Sequence, residues 1–375
     1  MIPYGHQSIN RSDVKSVVKA LKSQWLTTGP LVETFETELA YKVGAPCVVV
    51  SSGTAALHSA FAAIDIQPGD EIITPPLTFI ATQATAAILG AKIVFADVQS
   101  DTGNIDPEKV ETAVSGKTKA IVAVDYAGHP AELSELRKIA NKYNLILIED
   151  AAHSIGSIYK NKPVGSIADL TTFSFFPTKN FTTGEGGAVS STNPELLERV
   201  KRFSRQGIIR SSEQFILESD GPWHQEVHDF GLNYRLSDIL CALGLSQLGK
   251  LETFKKKRQE IFDFYSNQLS ELNLITTPVR REYVDPMWHL YPLRIEERYK
   301  NYLFSELRKN QIFPQVNYMP VHLQPVFLRK GFKKGDFPES EKFYAQEISL
   351  PIFVGLPIKA QEKVVEIIKK IVSGC

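Results

Sequence analysis

The stretch FSFFPTKNFTTGEGGAV, residues 173–189, sets a single lysine, Lys179, between an apolar run and a glycine-rich run. The apolar residues 173–176 read as the end of a buried strand. The run 184–187, three glycines around one acid, reads as a loop that can fold tightly around a ligand. Lysines ordinarily decorate solvated faces. A lysine at the point where a strand gives way to such a loop calls for a chemical explanation.

Outward from this stretch, short apolar runs alternate with helical stretches: CVVV (47–50), EIIT (71–74), KIVFAD (92–97), KAIVAVDYA (119–127), LILIED (145–150), TTFSFF (171–176) and GAVSS (187–191). Strands that are apolar throughout and separated by helices predict a largely parallel sheet covered on both faces. Two helices precede the first strand. NRSDVKSVVKALKSQ has Ser12 as its expected N-cap, followed by Val14, Val17, Val18 and Leu21 at helical spacing. PLVETFETELAYKVG has Pro30 early and Gly44 as its stop. Beyond about residue 210 the pattern changes. SSEQFILESDGPWHQEVHDFG is irregular, a long helical segment covers 236–269, and WHLYPLRI and FPQVNYMPV read as strands flanking a helix near 302–309. Helical periodicity returns at 339–348 and after 359. The expectation is an α/β protein with a large domain of residues 1–250, built on a mostly parallel sheet, and a smaller α+β domain of residues 251–375.

Composition narrows the function. The 375 residues are 43% apolar and 22% charged, as in ordinary globular proteins. Lys plus Arg and Asp plus Glu both total 42, which speaks against a general affinity for nucleic acid or anionic membrane. The three cysteines, Cys47, Cys241 and Cys375, form no CxxC pair, so a reducing compartment is expected rather than a disulfide frame. MIPYGHQ has no signal-peptide character, and no apolar run approaches the ~20 residues that span a bilayer. A cytoplasmic protein is expected. SGKT (115–118) ends like a phosphate loop, but Glu111 stands where that motif needs glycine. HQEVH spaces His224 and His228 four apart without a convincing helix or a third ligand, so no metal site is expected. No G-x-G-x-x-G follows a strand.

Three segments make sense of Lys179. VVVSSGTAAL (48–57) runs from a strand through small residues into a helix, which would present the amides of Gly53, Thr54 and Ala55 to a phosphate. A capped turn is the simpler reading of that segment alone. LILIEDAAHSIG (145–156) puts Glu149 and Asp150 at the carboxyl end of an apolar strand, where ligands bind in open α/β sheets. A carboxylate there needs a cation or a proton, and a protonated pyridine nitrogen would serve. An acid capping the next helix is the alternative. PPLTFIATQAT (75–85) places Phe79 where its ring could lie over a planar ligand, or in the core. Phosphate cradle, buried acid, aromatic platform and loop lysine together are the parts of a pyridoxal phosphate site.

The ordered set IPYGHQSI, WLTTGP, SSGTAALH, TPPLTFIAT, EDAAHSIGS, FSFFPTKNFTTGEGGA, GLNYRLSDILCALGLSQL, NYMPVHLQP and ISLP spans almost the whole chain. On these motifs the sequence resembles the DegT/DnrJ/EryC1/StrS family of pyridoxal-phosphate-dependent nucleotide-sugar aminotransferases. VDYAGHP, DGPWHQ, MWHLYP and GFKKGDFPESEKFYAQEISLP, with His153, add a resemblance to the branch that serves pseudaminic acid biosynthesis. The resemblance implies the PLP-dependent transferase fold type I, as in aspartate aminotransferase, in a homodimer with shared active sites. It implies pyridoxal 5′-phosphate held by Lys179 as a Schiff base, with Asp150 at the pyridine nitrogen and His153 at the phenolic oxygen. Phe79 and Ala152 would flank the ring, and Ser174, Gly53, Thr54 and Ala55 would bind the phosphate, joined by Asn233 from the partner subunit. Tyr4, the loop of Gln24, Trp25, Leu26 and Thr27, and the segment of Gln315, Val316, Asn317 and Tyr318 would line the substrate site. The implied substrates are L-glutamate and a UDP-linked 4-keto-6-deoxy-N-acetylhexose. Most of the family carries Gln where this chain has His153, and a histidine can titrate near neutral pH. The family also holds dehydratases that lack the lysine, relatives read as non-enzymatic regulators, and aminotransferases for other UDP- or dTDP-4-ketohexoses. Lys179 weighs against the first and the intact Asp150, Lys179 and Asn233 against the second. The third stays open, because C5 stereochemistry is read by pocket shape.

Overall fold

The computed structural model describes residues 1–374, so Cys375 lies outside the described residues; Cys47 and Cys241 are buried free thiols. The seven apolar runs form one seven-stranded sheet. Its strands are β1 (Cys47–Val50), β2 (Glu71–Thr74), β3 (Lys92–Phe95), β4 (Thr118–Val124), β5 (Ile146–Asp150), β6 (Leu170–Ser174) and β7 (Gly187–Ser190). Their order is β1-β7-β6-β5-β4-β2-β3. Every pairing is parallel except those of β7, which runs antiparallel to both β1 and β6. Apolar residues on both faces of these strands feed separate clusters, so the sheet is sandwiched, as a parallel sheet must be.

The reversal of β7 follows from the stretch that opened the reading. The chain leaves β6, turns through the lysine loop, and comes straight back beside β6. Phe175 donates its N–H to Gly186 O at 2.8 Å and accepts from Thr183 N at 3.1 Å and from Thr182 Oγ1 at 2.8 Å. Gly187 starts the returning strand in a slot without room for a side chain. A Cβ there would lie 2.5 Å from Ser52 O and 2.7 Å from Phe173 O. The glycine-rich run therefore lets two strand ends and the start of a helix converge under Lys179.

The helix Arg11–Leu21 is capped by Asn10, not by Ser12. Asn10 Oδ1 accepts from the N–H groups of Ser12 and Asp13, and Asp13 Oδ2 accepts from Asn10 N, closing a capping box. Asp13 is fully buried and meets Lys250 Nζ at 2.6 Å, with Ser246 and Gln247 as further donors. The segment 236–269 is two helices, Asp238–Leu248 and Leu251–Leu269, parted at Gly249 and Lys250.

The C-terminal part has its own apolar cluster, including Phe262, Tyr265, Trp288, Leu303 and Val364, with the Phe262 and Trp288 rings stacked at 3.8 Å. Around it runs a three-stranded sheet of β8 (Ile275–Thr276), β9 (Tyr291–Ile295) and β10 (Glu347–Leu350). Two sequence expectations fail here. Of FPQVNYMPV (313–321) only Phe313 lies in a strand, Ile312–Phe313, and helical periodicity at 339–348 ends in the strand β10. In both places residues are drawn into pairing with distant partners, which a local period does not report. Ile2–Pro3 pairs in parallel with Ile312–Phe313, and Ile352 N donates to Tyr4 O at 3.2 Å. The chain start is thus fastened to the C-terminal part beside the 315–318 segment.

Gly187→Ala is expected to cost about 1–3 kcal/mol, as overpacking against rigid backbone does. Gly116→Ala, where an added Cβ meets nothing within 4 Å, should change stability by less than ~0.5 kcal/mol. Denaturant unfolding of the two variants checks this.

Candidate active site at the carboxyl ends of the strands

Asp150 ends β5, near the middle of the sheet, and is buried. Its Oδ2 accepts from Thr82 Oγ1 at 2.8 Å and its Oδ1 from Ala152 N at 3.2 Å. Burial raises the Asp150 carboxyl, while these two donors and Lys179 act to keep it charged. Lys179 sits on the loop after β6, fixed by Lys179 N donating to Phe176 O at 2.9 Å. Its neighbour Asn180 ties the loop down by donating to His153 O at 2.7 Å and Met287 O at 3.1 Å. Burial pushes the Lys179 ammonium down to about 8, with Asp150 pulling the other way. A lysine with that affinity for its proton holds a usable fraction of free amine near neutral pH.

His153 is buried between two aromatic partners. Its ring lies 4.3 Å from that of His289 and stacks on Tyr318, whose hydroxyl is 3.2 Å from His153 Nε2. Burial and the Lys179 charge hold His153 well below the ordinary histidine range, and burial, His153 and Lys179 do the same to His289. Both rings are neutral at pH 7. His153 Nδ1 is buried without a partner among the described residues, which leaves it for a ligand.

The helix Gly53–Ala63 starts at the carboxyl end of β1. Ser52 caps it by accepting from Ala55 N at 3.0 Å, so the Ala55 amide expected to face a phosphate is already used. The amides of Gly53 and Thr54, in the first turn, find no acceptor among the described residues. A Cβ on Gly53 would stand 2.7 Å from Ser174 Cβ. Glycine thus lets the helix start and the end of β6 close into one cradle. Phe79 is 57% exposed, with one ring neighbour, Tyr318, at 6.1 Å.

Tyr4 and Tyr318 pack on one apolar cluster with Tyr126, and Asn317 between them is held by Glu347, which accepts Asn317 N at 2.8 Å. Burial pushes the Glu347 carboxyl up to about 8. One chain by itself leaves other expected residues outside this cluster. Asn233 is exposed and pairs through its backbone with Arg205; Gln24, Trp25, Leu26 and Thr27 form an exposed loop, and Gln315 is exposed. His224 and His228 both face the Glu226 carboxylate, at 3.4 and 2.5 Å, and among the described residues no group of side chains is arranged to hold a metal.

Thr82 and His289 were not foreseen. Thr82 had a faint signal, a polar residue on the sheet-facing side of the helix Ala81–Ile88. A second unforeseen feature is a pair of buried acids, Asp125 just after β4 and Glu149 on the neighbouring strand β5. Asp125 N donates to Asp150 O at 3.1 Å, and Asp125 accepts from Ser154 Oγ and Ala131 N. Glu149 accepts from Thr171 at 2.9 Å. Burial pushes Asp125 up to about 7, and burial and Asp125 push Glu149 well up. Two carboxyls buried together and raised in this way favour holding a proton.

The family profile for the DegT/DnrJ/EryC1/StrS aminotransferases matches residues 7–369. The chain belongs to this aminotransferase family. It is 38% identical to the UDP-4-amino-4,6-dideoxy-N-acetyl-beta-L-altrosamine transaminase of Campylobacter jejuni, over 100% of this chain and 99% of that one. Among solved structures, PseC of Helicobacter pylori, an aminotransferase of pseudaminic acid biosynthesis, superposes with a TM-score of 0.92 at 32% identity, covering 100% of both chains. Spr1654 of Streptococcus pneumoniae in its PMP form superposes at 0.93, with 29% identity and 100% of both chains covered, and it is also known in a PLP form. The fold is that of aminotransferases of fold type I.

Both members of the acid pair bind protons more tightly in the folded chain than in the unfolded one. Stability is therefore expected to fall as pH rises from the ordinary carboxylate range near 4 through about 7. Glu149→Gln keeps an acceptor for Thr171 and removes one titrating group, so its stability should change less over this window. Urea unfolding at pH 5 and pH 8 measures the difference.

Proposed function

We propose that the protein is a pyridoxal-phosphate-dependent aminotransferase that moves the amino group of L-glutamate to C4 of a UDP-linked 4-keto-6-deoxy-N-acetylhexose. The product would be UDP-4-amino-4,6-dideoxy-N-acetyl-β-L-altrosamine, made in the cytoplasm. The observation that carries the reading is a lysine amine lowered by burial toward neutrality beside a buried, twice hydrogen-bonded aspartate. The residues present fit the cofactor. Asp150 suits a protonated pyridine nitrogen, the unpartnered His153 Nδ1 faces the need for a donor or acceptor at the phenolic oxygen, and the Gly53 and Thr54 amides with Ser174 suit the phosphate. Phe79 and Ala152 would border the ring.

When bound, pyridoxal phosphate supplies an electron sink that lets a proton leave the amino-bearing carbon of the donor. Lys179 is the base and then the acid: its free amine takes the proton from that carbon and returns it on the other side of the exchange. Asp150 maintains the charge that makes the sink effective, and Thr82 and the Ala152 amide hold Asp150 in place. Neutral His153 and His289 add no charge that would compete with the protonated ring. Tyr4 and the segment Gln315, Val316, Asn317 and Tyr318 would receive the sugar.

The reading includes a homodimer in which Asn233 and the loop Gln24, Trp25, Leu26 and Thr27 serve the second chain's site. Its support is that these side chains are exposed in one chain, and that Trp223, Phe230 and Leu232, shortly before Asn233 in the sequence, are exposed as well. The division into a large domain of residues 1–250 and a small one of 251–375 belongs to the same reading, with the helix break at Gly249 and Lys250 as its hinge point.

Incubation with L-glutamate, pyridoxal phosphate and a panel of UDP- and dTDP-4-ketohexoses, followed by NMR of the products, tests the substrate. The altro-configured 4-amino sugar should form fastest, and Lys179→Ala should form none. Preference for another ketosugar would overturn the substrate and leave the aminotransferase.

Asn233→Ala should weaken cofactor retention by about 1.5–3 kcal/mol, the worth of a hydrogen bond to a charged group. A mixed dimer of Asn233→Ala with Lys179→Ala decides where that residue acts. If Asn233 of the partner subunit completes each site, the subunit retaining Lys179 borrows an intact Asn233 and turns over normally. A mixed dimer no better than the Asn233→Ala homodimer would refute sharing.

A further inference from the structure

The segment 315–318 starts as an added edge strand on β10. Gln315 N donates to Ser349 O at 3.2 Å, and Ser349 N donates to Gln315 O at 2.8 Å. In an antiparallel ladder the next such pair lies two residues on, which sets Asn317 opposite Glu347. Asn317 N donates not to the Glu347 carbonyl but to its side chain, reaching Oε2 at 2.8 Å. Ser349 Oγ accepts from Asn317 Nδ2 at 2.9 Å and donates to Glu347 Oε1. Tyr126 donates its hydroxyl to Asn317 O. The carboxyl thus takes the place of a main-chain acceptor and ends the pairing after one rung. Tyr318, the next residue, meets the lysine cluster: its hydroxyl is 3.2 Å from His153 Nε2, and its ring stacks on that of His153.

Glu347 is fully buried, and burial raises its carboxyl to about 8 against the charge of Lys300. A buried acid is costly to keep where a strand carbonyl would serve. A plain ladder rung would satisfy Asn317 N without it, but would continue the segment along β10 instead of releasing Tyr318 toward His153.

We propose that Glu347 is a positioning residue for amino transfer: by intercepting Asn317 N it sets Tyr318 against His153, and so orients the histidine that would face the phenolic oxygen of the cofactor. The proposal rests on the pyridoxal phosphate reading above. Glu347 acts at one remove, through Asn317 and Tyr318, and its effect on the site passes through the Tyr318 hydroxyl.

The test reads two quantities on enzyme loaded with pyridoxal phosphate: the pH midpoint at which its visible absorption band changes, and KM for the ketosugar nucleotide that the panel above selects. Glu347→Ala frees Asn317, so the midpoint should shift and KM should rise about 3–10-fold, the worth of one hydrogen bond. Glu347→Gln keeps an acceptor for Asn317 N and should leave KM within about twofold of the wild type. In the Tyr318→Phe background, Glu347→Ala should no longer move the midpoint, because the contact it acts through is gone. Ser349→Ala cuts the same anchor more mildly and should move both readings in the same direction; it carries the same cycle if Glu347→Ala does not fold. Wild-type midpoint and KM in Glu347→Ala or in Ser349→Ala would overturn the proposal, as would Glu347→Gln as impaired as Glu347→Ala. An effect undiminished in the Tyr318→Phe background would mark a general loosening of the fold and overturn it too. A loaded wild type whose band is unchanged in Lys179→Ala would overturn the cofactor reading and the proposal with it.

Discussion

A carboxylate buried at the end of a central strand must be answered by something, and most of this molecule is arranged around the answer given to Asp150. Left alone there, it would take up a proton. Thr82 and the Ala152 amide stabilise its charge from the protein side, and Lys179 supplies the nearby cation. The Asp125–Glu149 pair lies behind the same strand end and clips Asp150 by its backbone carbonyl. Each partner comes from a different element, so the position of Asp150 depends on the register of the parallel sheet.

The lysine side of this arrangement explains the antiparallel strand. A sheet of crossover connections would normally return parallel, through a helix. Here the chain doubles back within a dozen residues, because the loop carrying Lys179 must stay over the ends of β5 and β6. Gly187 makes the return possible by fitting between two carbonyl oxygens. The same tight convergence brings Ser174 against Gly53, so the lysine loop and the helix N-terminus that would hold a phosphate are parts of one packing solution. Neutral His153 and His289 complete it, since a charged ring there would raise the cost of protonating Lys179.

The sequence made the large sheet legible because its strands are buried on both faces and therefore apolar along their whole length. CVVV and EIIT match observed strands residue for residue. The short strands Ile312–Phe313 and β10 were not legible, because they form by pairing with distant partners. In the site, Lys179 and Asp150 stood out as charged residues beside apolar runs. Thr82 and His289 did not, since a threonine on a helix and a histidine before a strand are ordinary until the fold brings them to Asp150 and His153. Glu149 was visible beside Asp150 at the end of an apolar run, but its pairing with Asp125 was not, because only the register of β4 against β5 brings the two together. The Ala55 amide donates to the Ser52 cap in this chain, a use that the sequence left open beside the phosphate. Residues whose expected partners lie on another chain, Asn233 above all, carry no signal within one chain beyond their exposure.

The account stands or falls on whether Lys179 and Asp150 together let glutamate surrender its amino group. The direct measurement is 2-oxoglutarate released when enzyme loaded with pyridoxal phosphate meets L-glutamate in the absence of any sugar. One equivalent per chain is expected from the wild type, with none from Lys179→Ala and only a slow trace from Asp150→Ala. Failure of the fully loaded wild type to release 2-oxoglutarate, or release from Lys179→Ala at the wild-type rate, would contradict the assignment.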